Sequence, residues 1–193
     1  MKEILSIADK AKGVLVDLGF GKGTSLKSII ELMNKGEIVK RDIYIYESFN
    51  GYPAPTSEDQ NSFQKGGFKR PPQPAYDIVH SIKREVTLHK GFVEDTLKSY
   101  NETPIGIIYC DLGPYKSTKY ILEKLYKYLS VNGIVYFAGY GRFPGTKLAV
   151  DNFVTEKKLQ NFLSVEDGYA YIRKAPVKNL KGDKVTRTRS ILT

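Results

Sequence analysis

Apolar positions along the chain form short continuous or alternating runs, and these alternate with stretches of helical spacing. Residues 14–17, VLVD, are an apolar run ending in a carboxylate, followed by Gly19, Gly21 and Gly23. This pattern reads as a buried strand entering a tight loop, because glycine accepts positive φ and lets backbone come close to a ligand. Residues 25–34 have apolar positions at helical spacing, and Lys35-Gly36 is the stop signal. Upstream, residues 1–11 read as a short helix with Ile4, Leu5 and Ala8 on one face. Residues 42–46, DIYIY, alternate and are rich in β-branched and aromatic side chains, so they read as a second strand ending at Glu47. Residues 86–89, 105–110 and 134–137 read as strands three to five, the fourth ending at Asp111 and the fifth following an Asn132-Gly133 turn. Helices are expected over 76–83, from near Thr96, over 117–129 with Ile121, Leu122, Leu125 and Leu129 inward, and over 146–159. Residues 162–165 and 170–173 flank Glu166-Asp167-Gly168 and read as a terminal hairpin.

Strands alternating with helices imply an α/β fold: a doubly wound, mostly parallel seven-stranded sheet with right-handed crossovers and a C-terminal antiparallel hairpin. Residues 1–175 are expected to form one domain. Residues 52–76 interrupt the alternation. Pro53, Pro55, Pro71, Pro72 and Pro74 are expected to keep this segment out of helix and central strand, and so long a loop inside a compact domain reads as a lid. It carries Phe63, Lys65, Phe68, Lys69 and Arg70, with Gly66-Gly67 as a hinge. Residues 176–193 read as a basic, flexible tail, with binding of an anion by Lys178, Lys181, Lys184, Arg187 and Arg189 as the alternative.

The chain has 193 residues, 41% of them hydrophobic, which suits one globular domain. It has no apolar run near the ~20 residues that span a membrane, and its charged start lacks a signal-peptide core. With a single cysteine, Cys110, in an apolar run, no internal disulfide forms. A buried thiol and a cytoplasmic location are the expectation. The net charge of +9 admits a polyanionic partner or a phosphorylated small molecule, but acidic residues are interspersed and no arginine-rich stripe with aromatics appears, so a solvated lysine-rich surface is the simpler reading.

The glycine spacing narrows the ligand. A dinucleotide fingerprint needs G-x-G-x-x-G, and here Thr24 stands where the last glycine belongs. A phosphate loop needs Gly-Lys-Ser/Thr, and here Lys22 precedes Gly23. What remains, Asp17-x-Gly19-x-Gly21-x-Gly23, resembles the first motif of class I S-adenosylmethionine-dependent methyltransferases, with a Rossmann-like fold. A carboxylate after strand two accepts from ribose hydroxyls in such sheets, which points to Glu47. The loop after strand three lies against the adenine, so Glu94 or Asp95 is expected to accept from its amine, unless Asp95 caps a helix. Ligands in this architecture sit at the carboxyl ends of the strands, where Asp17, Glu47 and Asp111 lie.

Longer stretches resemble the macrocin O-methyltransferase-like (TylF-type) family. These are YESFNGYPAP from Tyr46, GFVEDTL from Gly91, and the run from Asp111 that contains Tyr115-Lys116-Ser117-Thr118, Tyr140-Gly141 and Ala149-Val150-Asp151-Asn152-Phe153. The resemblance implies an S-adenosylmethionine-dependent O-methyltransferase acting on a sugar or other small hydroxylated natural product. The donor-binding set it implies is Asp17, Gly19, Phe20, Gly21, Gly23, Thr24, Ser25, Glu47, Ser48, Phe49, Gly91, Glu94, Asp95, Asp111 and Tyr115. Many family members use a divalent metal held by aspartates after strands four and five. Here Asp111 matches, Gly113 replaces the second aspartate, and Ala138 and Gly139 replace the pair. One carboxylate does not replace three for a cation that wants near-octahedral oxygen ligation, so no tight metal is expected.

Methyl transfer to a hydroxyl needs a positioned base, for which Asp111 is the first candidate and Tyr140 a second acceptor contact. Aromatic faces attract cations, so Phe20 and Tyr115 are expected near the sulfonium. His89, at a strand end, is an alternative base, with packing as its simpler role. Two other functions stay open: a degenerate fold that binds the donor without catalysis, and a nucleic-acid methyltransferase. The second lacks an Asn-Pro-Pro-Tyr-type motif, since DLGPY follows strand four. The short segment before strand one suggests an open acceptor pocket or cover from a partner, and the fold is compatible with a homodimer.

Overall fold

The computed structural model of the chain describes residues 2–82, 85–166 and 168–174. The tail at 176–193 and Asp167 of the expected hairpin turn lie outside the described residues. Seven strands form one sheet in the order β3-β2-β1-β4-β5-β7-β6. They are β1 (Val14–Leu18), β2 (Ile43–Glu47), β3 (Val86–Lys90), β4 (Ile105–Cys110), β5 (Leu129–Phe137), β6 (Leu163–Glu166) and β7 (Tyr169–Arg173). The pairings among β1 to β5 are parallel, and β7 runs antiparallel between β5 and β6. The change of direction between β1→β2→β3 and β1→β4 puts the topological switch point at the carboxyl end of β1, where such sheets hold their ligands.

β1 is buried at every position, as expected of a central strand covered on both faces. Its side chains divide the core. Val14, Val16 and Leu18 face a layer formed with Ile121, Leu122 and Leu125 of α5 (Tyr115–Leu125) and Val150, Phe153 and Val154 of α6 (Pro144–Glu156). Leu15 faces the opposite layer, with Ile4 and Leu5 of α1 (Lys2–Ser6) and Leu26, Ile29 and Met33 of α2 (Thr24–Asn34). The helical spacing read from the sequence for α2 and α5 corresponds to these buried faces.

The differences from the sequence expectation have local causes. Helix α3 (Gln73–Ser81) starts inside the segment expected to be loop, with Pro74 in its first turn. The first turn of a helix has no intrahelical partner for its N–H groups, so proline is accepted there. Helix α6 likewise opens on Pro144, two residues early. The short helix α4 (Val93–Thr96) follows Phe92, and Asp95 lies within it rather than capping a helix from Thr96. Asn132-Gly133 does not end a chain segment: β5 continues through it, with Leu129 opposite Ile105 and Ile134 opposite Ile107. Between these pairs residues 130–133 stand against Gly106, a shift of register in which Asn132 adopts φ 66°.

The segment between β2 and α3 is packed. Tyr52 lies against Phe63, Phe68 and Phe143, with ring centroids 4.7, 5.3 and 5.9 Å away. Asp59 is buried beside the first turns of α5 and α6. Its Oδ1 accepts from the Tyr115 backbone N–H at 2.7 Å and its Oδ2 from the Thr56 N–H at 2.8 Å. Gly145 leaves room for this carboxylate: a Cβ there would lie 2.1 Å from Asp59 Oδ1.

Candidate active site

The carboxyl ends of β1, β2 and β4 open into a cavity of about 350 Å³. Its walls include Gly19 and Gly21, Glu47 and Ser48, Gly91 and Glu94, Asp111, and Tyr52, Phe68, Arg70 and Arg142. The glycine loop is drawn tight. Gly19 adopts φ 86°, and a Cβ there would lie 2.6 Å from the Asp111 carbonyl oxygen, so only glycine lets the ends of β1 and β4 meet. The Gly21 N–H donates to Glu47 Oε2 at 3.1 Å, and the Phe49 N–H donates to Glu47 Oε1 at 3.0 Å. The carboxylate at the end of β2 therefore grips the loop after β1 from across the cleft.

At the far wall Arg142 Nη2 donates to Asp111 Oδ1 at 2.9 Å, and the guanidinium lies 4.5 Å from the centroid of Phe143. Burial raises the Asp111 pKa, and the Arg142 charge opposes that rise. Asp17 lies beneath the loop, 2% exposed. Burial, with the negative charges of Asp111 and Glu47, pushes its carboxyl up to about 7. A buried carboxyl poised there is ready to be ionised by an arriving cation.

The two acids after β3 lie in different places. Glu94 lines the cavity and its Oε1 accepts from Ser117 Oγ at 2.6 Å, whereas Asp95 is exposed and pairs with Lys98 at 2.8 Å. Several residues singled out in the sequence do not line the cavity. Phe20 turns into the core under Gly23, where a glycine Cβ would meet its ring at 2.5 Å. Ser25 Oγ accepts from Tyr109 Oη at 3.0 Å, Thr24 opens α2, and Phe49 is buried. Gly23 is the N-cap of α2 at φ 72°. Tyr115 accepts from Asn152 at its hydroxyl. Tyr140 is buried, with its hydroxyl donating to Asp151 Oδ1 at 2.7 Å on α6. His89 stacks on Tyr46 at 4.5 Å, and burial lowers its pKa. Cys110 is buried, and its thiol is pushed up to about 12.

Sequence reading missed Tyr52, Ser117 and Arg142. Phe20 and Tyr115, expected near the sulfonium, do not line the cavity, whereas Tyr52 and Phe68 do. Tyr52 had a signal, since it opens the YPAP run directly after the strand-two motif. Arg142 had one too, in the GYGRFPG loop that follows strand five where the family carries aspartates.

The residues at the β4 and β5 ends do not fit a divalent cation. Asp111 is the carboxylate there, its partner is a guanidinium, and among the described residues no group of three or more His, Cys, Asp or Glu stands ready to hold a metal. The glycine loop, the Glu47 clamp and Glu94 form an open cradle with carboxylate acceptors, which fits an adenosyl ligand.

A doubly wound sheet with an antiparallel β7 and a glycine loop gripped from β2 defines the class of Rossmann-like S-adenosylmethionine-dependent methyltransferases. The family model of macrocin O-methyltransferase (TylF) matches residues 2–174, and the chain belongs to that family. Among solved structures it is similar to CalS11, a calicheamicin methyltransferase, at a TM-score of 0.75 and 24% identity over 89% of this chain and 76% of that one. It is similar to the O-methyltransferase NovP at 0.74 and 19%, over 91% and 80%. It is also similar to SMU.1697c of Streptococcus mutans, solved with S-adenosylhomocysteine, at 0.56 and 16%, over 90% and 95%. These likenesses show the fold. No curated protein matches the chain. Among the described residues no helix is long and apolar enough to cross a membrane.

Proposed function

We propose that the protein methylates a hydroxyl of a sugar or other small natural product, using Asp111 as base and no tightly held metal. The observation that carries this reading is the Asp111–Arg142 pair in the same cavity wall as the glycine loop. When bound, S-adenosylmethionine supplies an electrophilic methyl group on sulfur, which departs as a neutral thioether. The chain therefore has two tasks: to align the acceptor and to take its proton.

In this reading Glu47 and Glu94 hold the ribose and adenine, with Ser117 donating to the Glu94 carboxylate. Asp17 supplies negative charge beneath the cationic end of the donor. Tyr52 offers an aromatic face, which attracts a cation. Asp111 accepts the hydroxyl proton. Arg142 opposes the rise that burial gives the Asp111 pKa, which favours the accepting carboxylate, and offers positive charge to the oxygen as its proton leaves. Support for a sugar acceptor comes from likeness to CalS11, whose apo structure is described as that of a TDP-rhamnose 3'-O-methyltransferase.

The test is turnover of labelled S-adenosylmethionine on a panel of glycosides and polyols with a chelator present. Chelator-resistant transfer that Asp111→Asn abolishes supports the reading. Transfer that requires added magnesium contradicts its metal-free part.

A further inference from the structure

Beside the donor cavity lies a second concavity of about 390 Å³, lined by Phe49, Asn50, Lys69, Arg70, Pro71, Pro72 and Lys90. It holds three cationic side chains and no carboxylate. The main cavity is different, because Glu47, Glu94 and Asp111 balance its cations. Arg70 belongs to both walls. No carboxylate among the described residues pairs with it, and its Nε is buried with no hydrogen-bond partner among them. Its guanidinium stands 5.8 Å from the centroid of Phe68, a ring that is 67% exposed at the mouth of the main cavity.

A half-buried guanidinium with no carboxylate partner gains a charge-assisted one when an anion binds beside it. Guanidinium and ammonium groups converging on one concavity match a phosphoryl group, which offers several charged acceptor oxygens. Arg70 is the residue that lines both this concavity and the main cavity.

From these observations we infer that the acceptor is phosphorylated. Its hydroxyl lies at Asp111, its apolar face lies on Phe68, and its phosphoryl group lies against Arg70, Lys69 and Lys90. This rests on the methyltransferase reading and adds the chemical class of the acceptor.

The test is calorimetry on the full chain. S-adenosylhomocysteine is titrated first, and the loaded protein is then titrated with glucose 1-phosphate, glucose and inorganic phosphate. The expected result is that glucose 1-phosphate binds at least tenfold more tightly than glucose. Arg70→Gln and the double variant Lys69→Gln/Lys90→Gln should each weaken it about tenfold. The lysines are exposed, so the double variant reads charge without disturbing the core. Equal affinity for glucose and its phosphate, or affinity that neither variant changes, overturns the inference. Inorganic phosphate binding that the sugar phosphate does not displace marks a site for free phosphate and also overturns it. Failure of S-adenosylhomocysteine to bind in the first titration counts against the methyltransferase reading itself, and so is told apart.

Discussion

The Arg142 guanidinium donates to the Asp111 carboxylate at 2.9 Å, at strand ends where the family places a cluster of aspartates. A fixed organic cation thus stands next to the single carboxylate. This pair sets the first expectation. Asp111→Asn keeps the shape but cannot take a proton, and should lower turnover by about 10²–10⁴-fold, the usual contribution of a positioned base. S-adenosylhomocysteine affinity, read in parallel, should change little.

Arg142→Gln tests the other half of the pair. Burial raises the Asp111 pKa and Arg142 opposes the rise, so removing the guanidinium raises it further. The acid limb of the kcat/KM profile should move to higher pH, with activity partly recovered by raising the pH. An unmoved limb with uniformly lower activity contradicts the electrostatic role.

Asp17 makes the empty protein sensitive to pH. Its carboxyl is raised to about 7, chiefly by burial, so the folded state holds a proton that the unfolded chain releases above its ordinary value. The protonated carboxyl's contribution to stability is complete below the ordinary carboxylate pKa and is lost as pH rises toward 7. The change is on the order of 4 kcal/mol. Asp17→Asn, which cannot ionise, should therefore melt higher than the natural chain at pH 8, with the difference closing near pH 4. Binding a cationic donor should ionise Asp17, so S-adenosylmethionine titrations in buffers of different ionisation enthalpy should show proton release near pH 7. Asp17→Asn should remove it.

Asp59 ties the segment after β2 to the start of α5. Asp59→Ala leaves the Tyr115 and Thr56 N–H groups without their acceptor. The expected cost is about 2–3 kcal/mol, a fall in Tm of roughly 4–12 °C for a chain of this length. Limited proteolysis should then cut first between residues 60 and 70.

How much of this was legible follows from which residues carry periodic signals. β1, its glycine loop and Glu47 were readable because a central strand must be apolar throughout and the loop needs glycine at fixed steps. Glu47 gripping Gly21 was implied only as a strand-end carboxylate, since a hydrogen bond between two strand ends has no sequence spacing of its own. Helix starts were misplaced at Pro74 and Pro144 because proline reads as a breaker although a first turn accepts it. Phe20 was sought in the cavity because it lies in the loop; the conformations of Gly21 and Gly23 turn it into the core, and backbone sign is invisible in a residue name. Tyr52, Phe68, Arg70 and Arg142 come from irregular segments, whose course depends on contacts such as Asp59 with Tyr115.

The most direct measurement is a calorimetric titration of the protein with S-adenosylmethionine, once with chelator and once with excess magnesium. The account predicts micromolar binding of the same strength in both, accompanied by proton release near pH 7. Binding that appears only with magnesium contradicts the fixed-cation site at Asp111, and no binding in either buffer contradicts the donor site built on Gly19, Gly21 and Glu47.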